Sequence, residues 1–248
     1  MDASGNLYGT TFGGGASGCG TVFELVNSSG TYSEKVLYSF ASSSGDACSP
    51  QAGLIVDASG NLYGTTNHGG SKCYGTVFEL ANSSGTYTEK VLYSFTNSSG
   101  DGANTLAGLI MDASDNLYGT TYGGGAGGHG TAFELVNSSG TYSEKVLYSF
   151  TGGDGSNPQA GLIKDSSGNL YGTTSYGGGS GDCACGVRTL LLVLNAPAKE
   201  VKICVRRLSR SLGITRKTIR DKTFRLPVAS VLGDPRRKIA VSHVRSFG

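Results

Sequence analysis

The hexapeptide Asn6-Leu7-Tyr8-Gly9-Thr10-Thr11 returns at Asn61, Asn116 and Asn169, at spacings of 55, 55 and 53 residues. A near-constant period of this size marks an array of one supersecondary unit. Such a unit cannot bury its apolar face alone, so it must stack on copies of itself. Glycine makes up 41 of 248 residues and tryptophan is absent, which suits short strands joined by tight turns.

The second copy reads as four strands. Strand A is Gly53-Leu54-Ile55-Val56, strand B runs from Asn61 to Thr66, strand C from Gly75 to Leu80 and strand D from Glu89 to Phe95. All four are rich in β-branched and aromatic residues and are bounded by turn formers. Asp57-Ala58-Ser59-Gly60 joins A to B and Asn82-Ser83-Ser84-Gly85 joins C to D. Turns this short join antiparallel strands and cannot join parallel ones, which disfavours a β-solenoid. The expected fold is all-β: a partial β-propeller of four-stranded antiparallel blades. About three and a half repeats are visible where a closed propeller needs about four to eight blades. The repeats are expected over residues 1–186, as a partial blade (1–40), two blades (41–95 and 96–150) and a second partial blade (151–186). A basic tail follows over 187–248. Residues 1–185 hold five basic residues against fifteen acidic ones, whereas 186–248 hold fifteen against three, so the two stretches have opposite character. No apolar run is long enough to span a bilayer. Met1 is followed at once by repeat sequence, so no signal peptide is expected.

The residues Asp-x-x-Gly-Asn-Leu-Tyr-Gly-Thr-Thr, at Asp57 to Thr66, and Gly-Thr-Val-Phe-Glu-Leu, at Gly75 to Leu80, resemble the bacterial GloVer tandem repeat. The Asp-x-x-Gly-Asn-Leu-Tyr element is also similar to repeats of NHL-type and two-component-regulator propellers. The resemblance implies an extracellular or cell-surface protein. It supplies no catalytic residue and no cofactor, and no enzymatic activity is expected.

Alternating turns send the B–C and D–A loops to one end of each blade, and those loops differ between copies. Phe12, Tyr122 and Tyr176 stand just after the Thr-Thr pairs, His68 lies in a B–C loop, and His129 precedes the glycine that opens strand C. Aromatics among glycines on loops carried by a rigid scaffold suit a glycan, peptide or protein ligand. Packing over the ends of the blades is the competing role for the same rings. Cys48 and Cys73 fall on this loop end of one copy, and a disulfide between them is one expectation; unpaired thiols are another. A zinc site from Cys48, His68 and Cys73 lacks a recognised ligand spacing, and no metal is expected. Asp57-x-Ser59-x-Asn61 lacks the length and closing glutamate of a calcium loop and reads as an Asx-stabilised hairpin. Asn27-Ser28-Ser29 and its copies match a glycosylation sequon but read as turns. Glu24, Glu79 and Glu134 recur on strand C, where Lys35, Lys90 and Lys145 are their expected cross-strand partners. Open blade edges could also drive self-association.

After Gly186 the repeat breaks, and three readings of the tail compete. In the first, Leu208 to Ile219 forms a helix-turn-helix in which Thr215 caps a recognition helix bearing Arg216, Lys217 and Arg220, so the partner would be DNA. In the second, a change of reading frame within the fourth copy makes the tail meaningless sequence. In the third, Thr189 to Leu194 and Glu200 to Val205 serve as degenerate strands C and D of the last blade. The expected function is a non-catalytic binding scaffold, with a DNA-binding protein that uses the tail as the alternative.

Overall fold

In a computed structural model of the chain, the structure describes residues 1–41, 45–98 and 100–177, together with the backbone of 190–194 and 203–204. All of these lie in one compact unit spanning 1–205. The candidate DNA-contacting residues Thr215, Arg216, Lys217 and Arg220, and the cysteines Cys183 and Cys185, lie outside the described residues.

The fold is all-β and antiparallel, and each copy of the repeat makes one blade. Blade 1 holds β1 (Leu7–Thr11), β2 (Thr21–Ser28) and β3 (Thr31–Ser39). Blade 2 holds β4 (Ala47–Pro50), β5 (Ile55–Val56), β6 (Leu62–Gly69), β7 (Thr76–Ser83) and β8 (Thr86–Ser94). Blade 3 holds β9 (Gly102–Ala103), β10 (Ile110–Met111), β11 (Leu117–Thr121), β12 (Gly123–Gly124), β13 (Thr131–Ser138) and β14 (Thr141–Ser149). Blade 4 holds β15 (Ser156–Pro158), β16 (Ile163–Lys164), β17 (Leu170–Tyr176), β18 (Leu190–Leu194) and β19 (Ile203–Cys204).

Expected strands B, C and D correspond to β6, β7 and β8 and to their repeats. Strand A differs from its expected form. It is split into two short pieces, β4 and β5, that pair with opposite ends of β6. Pro50 has no amide to give the ladder, and Ser49 beside it takes a left-handed backbone with φ 60°. The chain therefore leaves the sheet there and rejoins it at Ile55.

Strand D carries a bulge in each of the first three blades. Val22 faces Tyr38 while Phe23 faces Val36, which leaves Leu37 as the extra residue, and Leu92 and Leu147 repeat the pattern. In blade 4, β18 pairs with β17 in the register that strand C holds elsewhere: Leu170 faces Leu194 and Thr174 faces Leu190. Ile203 and Cys204 pair with β18 in turn. For these residues the backbone takes the arrangement of the third reading of the tail.

Neighbouring blades bury apolar side chains against one another. Phe40 at the end of β3 packs edge-on against Phe78 of β7, with ring centroids 5.1 Å apart, and Phe95 repeats this on Phe133 at 5.2 Å. All four rings are fully buried, with Leu62 and Leu80 in the first interface and Leu117 and Leu135 in the second. Gly64 explains why strand B needs a glycine: a Cβ there would come within 2.6 Å of the Phe78 ring and 2.7 Å of Leu54 Cδ2.

Candidate functional site

The two ends of each blade are built differently. At the A–B hairpin end the repeated polar residues bond to one another. Asp57 Oδ1 accepts the amides of Ser59 and Asn61, and Asp57 Oδ2 accepts Asn61 Nδ2 and the Tyr63 hydroxyl at 3.1 Å. Tyr63 also reaches Glu79 Oε1 at 3.3 Å, and Asn61 Oδ1 accepts the Asn82 amide. The same set recurs with Asp2, Asn6, Tyr8 and Glu24 and with Asp112, Asn116, Tyr118 and Glu134. The aspartate therefore organises its own hairpin, as the Asx reading requires. Burial, then the neighbouring Asp112 and Glu134, push the Tyr118 hydroxyl well above its ordinary range. Burial works to raise the Asp112 carboxyl, but the Tyr118 hydroxyl, two hairpin amides and Lys164 outweigh it and hold the group well below the usual carboxylate range.

The strand C glutamates meet their lysines unevenly. Lys35 lies 3.9 Å from Glu24 and Lys145 lies 3.2 Å from Glu134. Lys90 sits opposite Glu79 in the ladder, but its ammonium donates to Gly140 O of the next blade at 2.9 Å. The sequence reading missed Lys164. Its ammonium lies 3.2 Å from Asp112, 3.1 Å from the Tyr118 hydroxyl and 4.2 Å from the Tyr118 ring centre. Val56 and Met111 hold that position in blades 2 and 3. Replacing Lys164 with methionine is expected to cost about 0.5–1 kcal/mol, the scale of a partly exposed ion pair with a cation–π contact. In an Asp112→Asn background the cost should shrink, and urea denaturation of the four proteins measures the difference.

At the opposite end, the slot before the strand C glycine is a blade-to-blade contact. Cys19 O, Tyr74 O and His129 O accept the amides of Ser49, Asn104 and Asn157 from the following blade, at 2.7–2.8 Å. The three donors all have left-handed backbones, with φ between 56° and 60°. The side chains in the slot follow suit. His129 Nδ1 lies 3.0 Å from Ser156 Oγ, so His129 is an inter-blade partner. Cys19 forms a disulfide with Cys48. Cys48 is thus bonded to Cys19 and not to Cys73, which is an exposed free thiol. The reason is topological: β4 sits against the preceding blade, which brings Cys48 to the Cys19 slot. The same bond removes Cys48 from any metal set with His68 and Cys73. Among the described residues, no three His, Cys, Asp or Glu side chains group as metal ligands.

The other loop-end candidates remain at the surface. Phe12 is 56% exposed and Tyr176 46%; His68 is exposed and Tyr122 half-buried. Tyr74, 38% exposed, belongs with them. It occupies the same place before the strand C glycine as Cys19 and His129. Phe12 lines a cleft of about 410 Å³ with Thr10, Pro50 and Gln51, between blades 1 and 2.

Residues 1–185 match the family model of the Gloeobacter/Verrucomicrobia repeat. The chain belongs to this repeat family. The match takes in the first three blades and the start of the fourth, so the Asp–Asn–Tyr–Glu hairpin set and the loop-end aromatics both lie on the Gloeobacter/Verrucomicrobia repeat. No curated protein matches the chain.

Proposed function

We propose that this repeat array is a non-catalytic binding scaffold that recognises a glycan or peptide through its loop end. The observation that carries the reading is the contrast between the two blade ends. The hairpin end repeats the same residues and commits its polar groups to internal bonds. The loop end changes from blade to blade and presents Phe12, Tyr74, Tyr122 and Tyr176. Exposed rings give large contact area at low entropic cost, and stacking on them tolerates many ligands. The carboxylates that recur on strand C support a structural role, because each accepts a tyrosine hydroxyl from strand B. A cell-surface or secreted setting is proposed with it, supported by the Cys19–Cys48 disulfide, since such bonds persist in oxidising compartments. Closure into a propeller would need further blades from the same kind of repeat.

The test is a glycan array and a peptide display screen with the 248-residue chain, followed by the Phe12→Ala/Tyr122→Ala variant on any ligand found. Loss of binding by about tenfold or more is expected, the scale of two lost stacking contacts. Unchanged binding, with the fold intact by circular dichroism, would remove the loop end as the recognition surface.

A further inference from the structure

Each of the first two blade junctions holds a glutamate in a position that suits its neutral form better than its charged one. Glu89 on β8 and Glu144 on β14 are one repeat apart, and each has a buried Oε1 with no hydrogen-bond partner. Across the junction, the Tyr38 hydroxyl on β3 reaches Glu89 Oε2 at 3.3 Å. Beside it stands Asp46, which accepts the amides of Ala41 and Ala47, one at each oxygen. At the second junction the groups facing Glu144 are Asp101 and, from β8, Tyr93. Asp101 likewise accepts at both oxygens, from Thr96 and Gly102. Among the described residues no lysine, arginine or histidine lies within ion-pair distance of either glutamate. Lys90, next to Glu89 on β8, is directed to Gly140 O, and Lys145, next to Glu144 on β14, to Glu134.

A half-buried carboxylate with no cation, one buried and unfilled oxygen and a second carboxylate beside it is destabilised by desolvation and by like charge. We propose that Glu89 and Glu144 are pH-sensitive latches: neutral, they let the blade junctions close, and their ionisation as pH rises loosens the D–A side of each junction. Burial, reinforced by Asp46, raises the Glu89 carboxyl to about 8. Burial, reinforced by Asp101, raises Glu144 to about 7. Because the folded form holds these protons more tightly than the unfolded chain, the stabilisation is complete below the ordinary glutamate range near pH 4.5. It is then lost progressively up to those values. The two junctions should not respond equally. The Cys19–Cys48 disulfide lies two residues from Asp46 and holds the first junction shut covalently, whereas the second has no such bond among the described residues.

Glu34, at the matching position of blade 1, is exposed and serves as an internal control. Thermal and urea unfolding of the full chain between pH 5 and pH 9 would be compared for wild type, Glu89→Gln/Glu144→Gln and Glu34→Gln. The wild-type and Glu34→Gln unfolding constants should rise by about a hundredfold or more relative to the double variant across that range, since each pH unit by which folding raises such a carboxyl is worth about a factor of ten. Hydrogen exchange near β8 to β10 should accelerate with pH, more than near β3 to β5. Side-chain carboxyl ¹³C titration of the two glutamates should give midpoints above about 6. An identical pH slope in wild type and double variant, or midpoints near 4.5, would overturn the proposal.

Discussion

Replacing Phe78 with alanine is expected to remove about 3–5 kcal/mol of stability, the upper range for a large-to-small core change. Phe78 is fully buried and does three jobs. Its ring covers the Cα of Gly64, where no side chain could fit. It receives the edge of Phe40 from blade 1, and it packs with Leu62 and Leu80. Truncation therefore opens a cavity in blade 2 and strips the partner ring from blade 1. Phe133→Ala should cost a similar amount for the same reason, since Phe133 meets Phe95 and covers Gly119. Phe23 is the informative comparison. It covers Gly9 in the same way but is only half-buried. Phe23→Ala should cost less, and urea denaturation of the three variants would rank them. Equal costs would mean that stability resides within each blade and not at the junctions.

That comparison also shows how far the sequence could be read. Strands B, C and D were legible because the alternation of side chains and the Asn-Ser-Ser-Gly and Asp-Ala-Ser-Gly turns act locally. The split of strand A was not. It depends on a left-handed residue, Ser49 in blade 2 and Asn104 in blade 3, whose amide is drawn out of the sheet to a carbonyl of the preceding blade, Cys19 O or Tyr74 O. No window of sequence within one copy contains that partner. The tyrosine–aspartate–glutamate set was half visible: Glu24, Glu79 and Glu134 stood out by repetition, but their partners were sought only among cross-strand lysines. In the fold Tyr8, Tyr63 and Tyr118 lie directly opposite those glutamates on strand B.

At the loop end, the sequence grouped residues that the fold places in different surroundings. The residue before the strand C glycine varies as Cys19, Tyr74 and His129, and variability alone suggested ligand contact. The structure shows that the carbonyl of this slot bonds to the next blade, and two of its side chains do so as well: Cys19 meets Cys48 and His129 meets Ser156, while Tyr74 is exposed. The signal for such a contact is a paired change one blade further on, Cys19 with Cys48 and His129 with Ser156. The side chain of Phe12, which follows Thr-Thr, stays exposed, and that of Tyr122 half-buried, although the Tyr122 carbonyl accepts Asn157 Nδ2 of the next blade.

Removing the disulfide with Cys48→Ser is expected to cost about 3–4 kcal/mol, the chain-entropy scale for a loop of this length. The bond closes a loop with a sequence separation of 29 that contains β2, β3 and the whole connection into blade 2. Its loss should act on the docking of blade 1 and not on the integrity of blades 2 and 3, whose junction carries no disulfide among the described residues. Cys73→Ser is the matched control, because Cys73 is exposed and unbonded, and it should leave stability unchanged within about 0.5 kcal/mol. Dithiothreitol should lower the midpoint of unfolding of the wild type and of Cys73→Ser alike, and should leave Cys48→Ser where it is. Limited proteolysis supplies the location: with the bond reduced, cleavage should appear first at residues 45–49, beside Cys48, while the rest of blades 2 and 3 stays intact. A loss spread evenly over all blades would mean that the array unfolds as one cooperative body and that the bond acts on the unfolded chain as a whole.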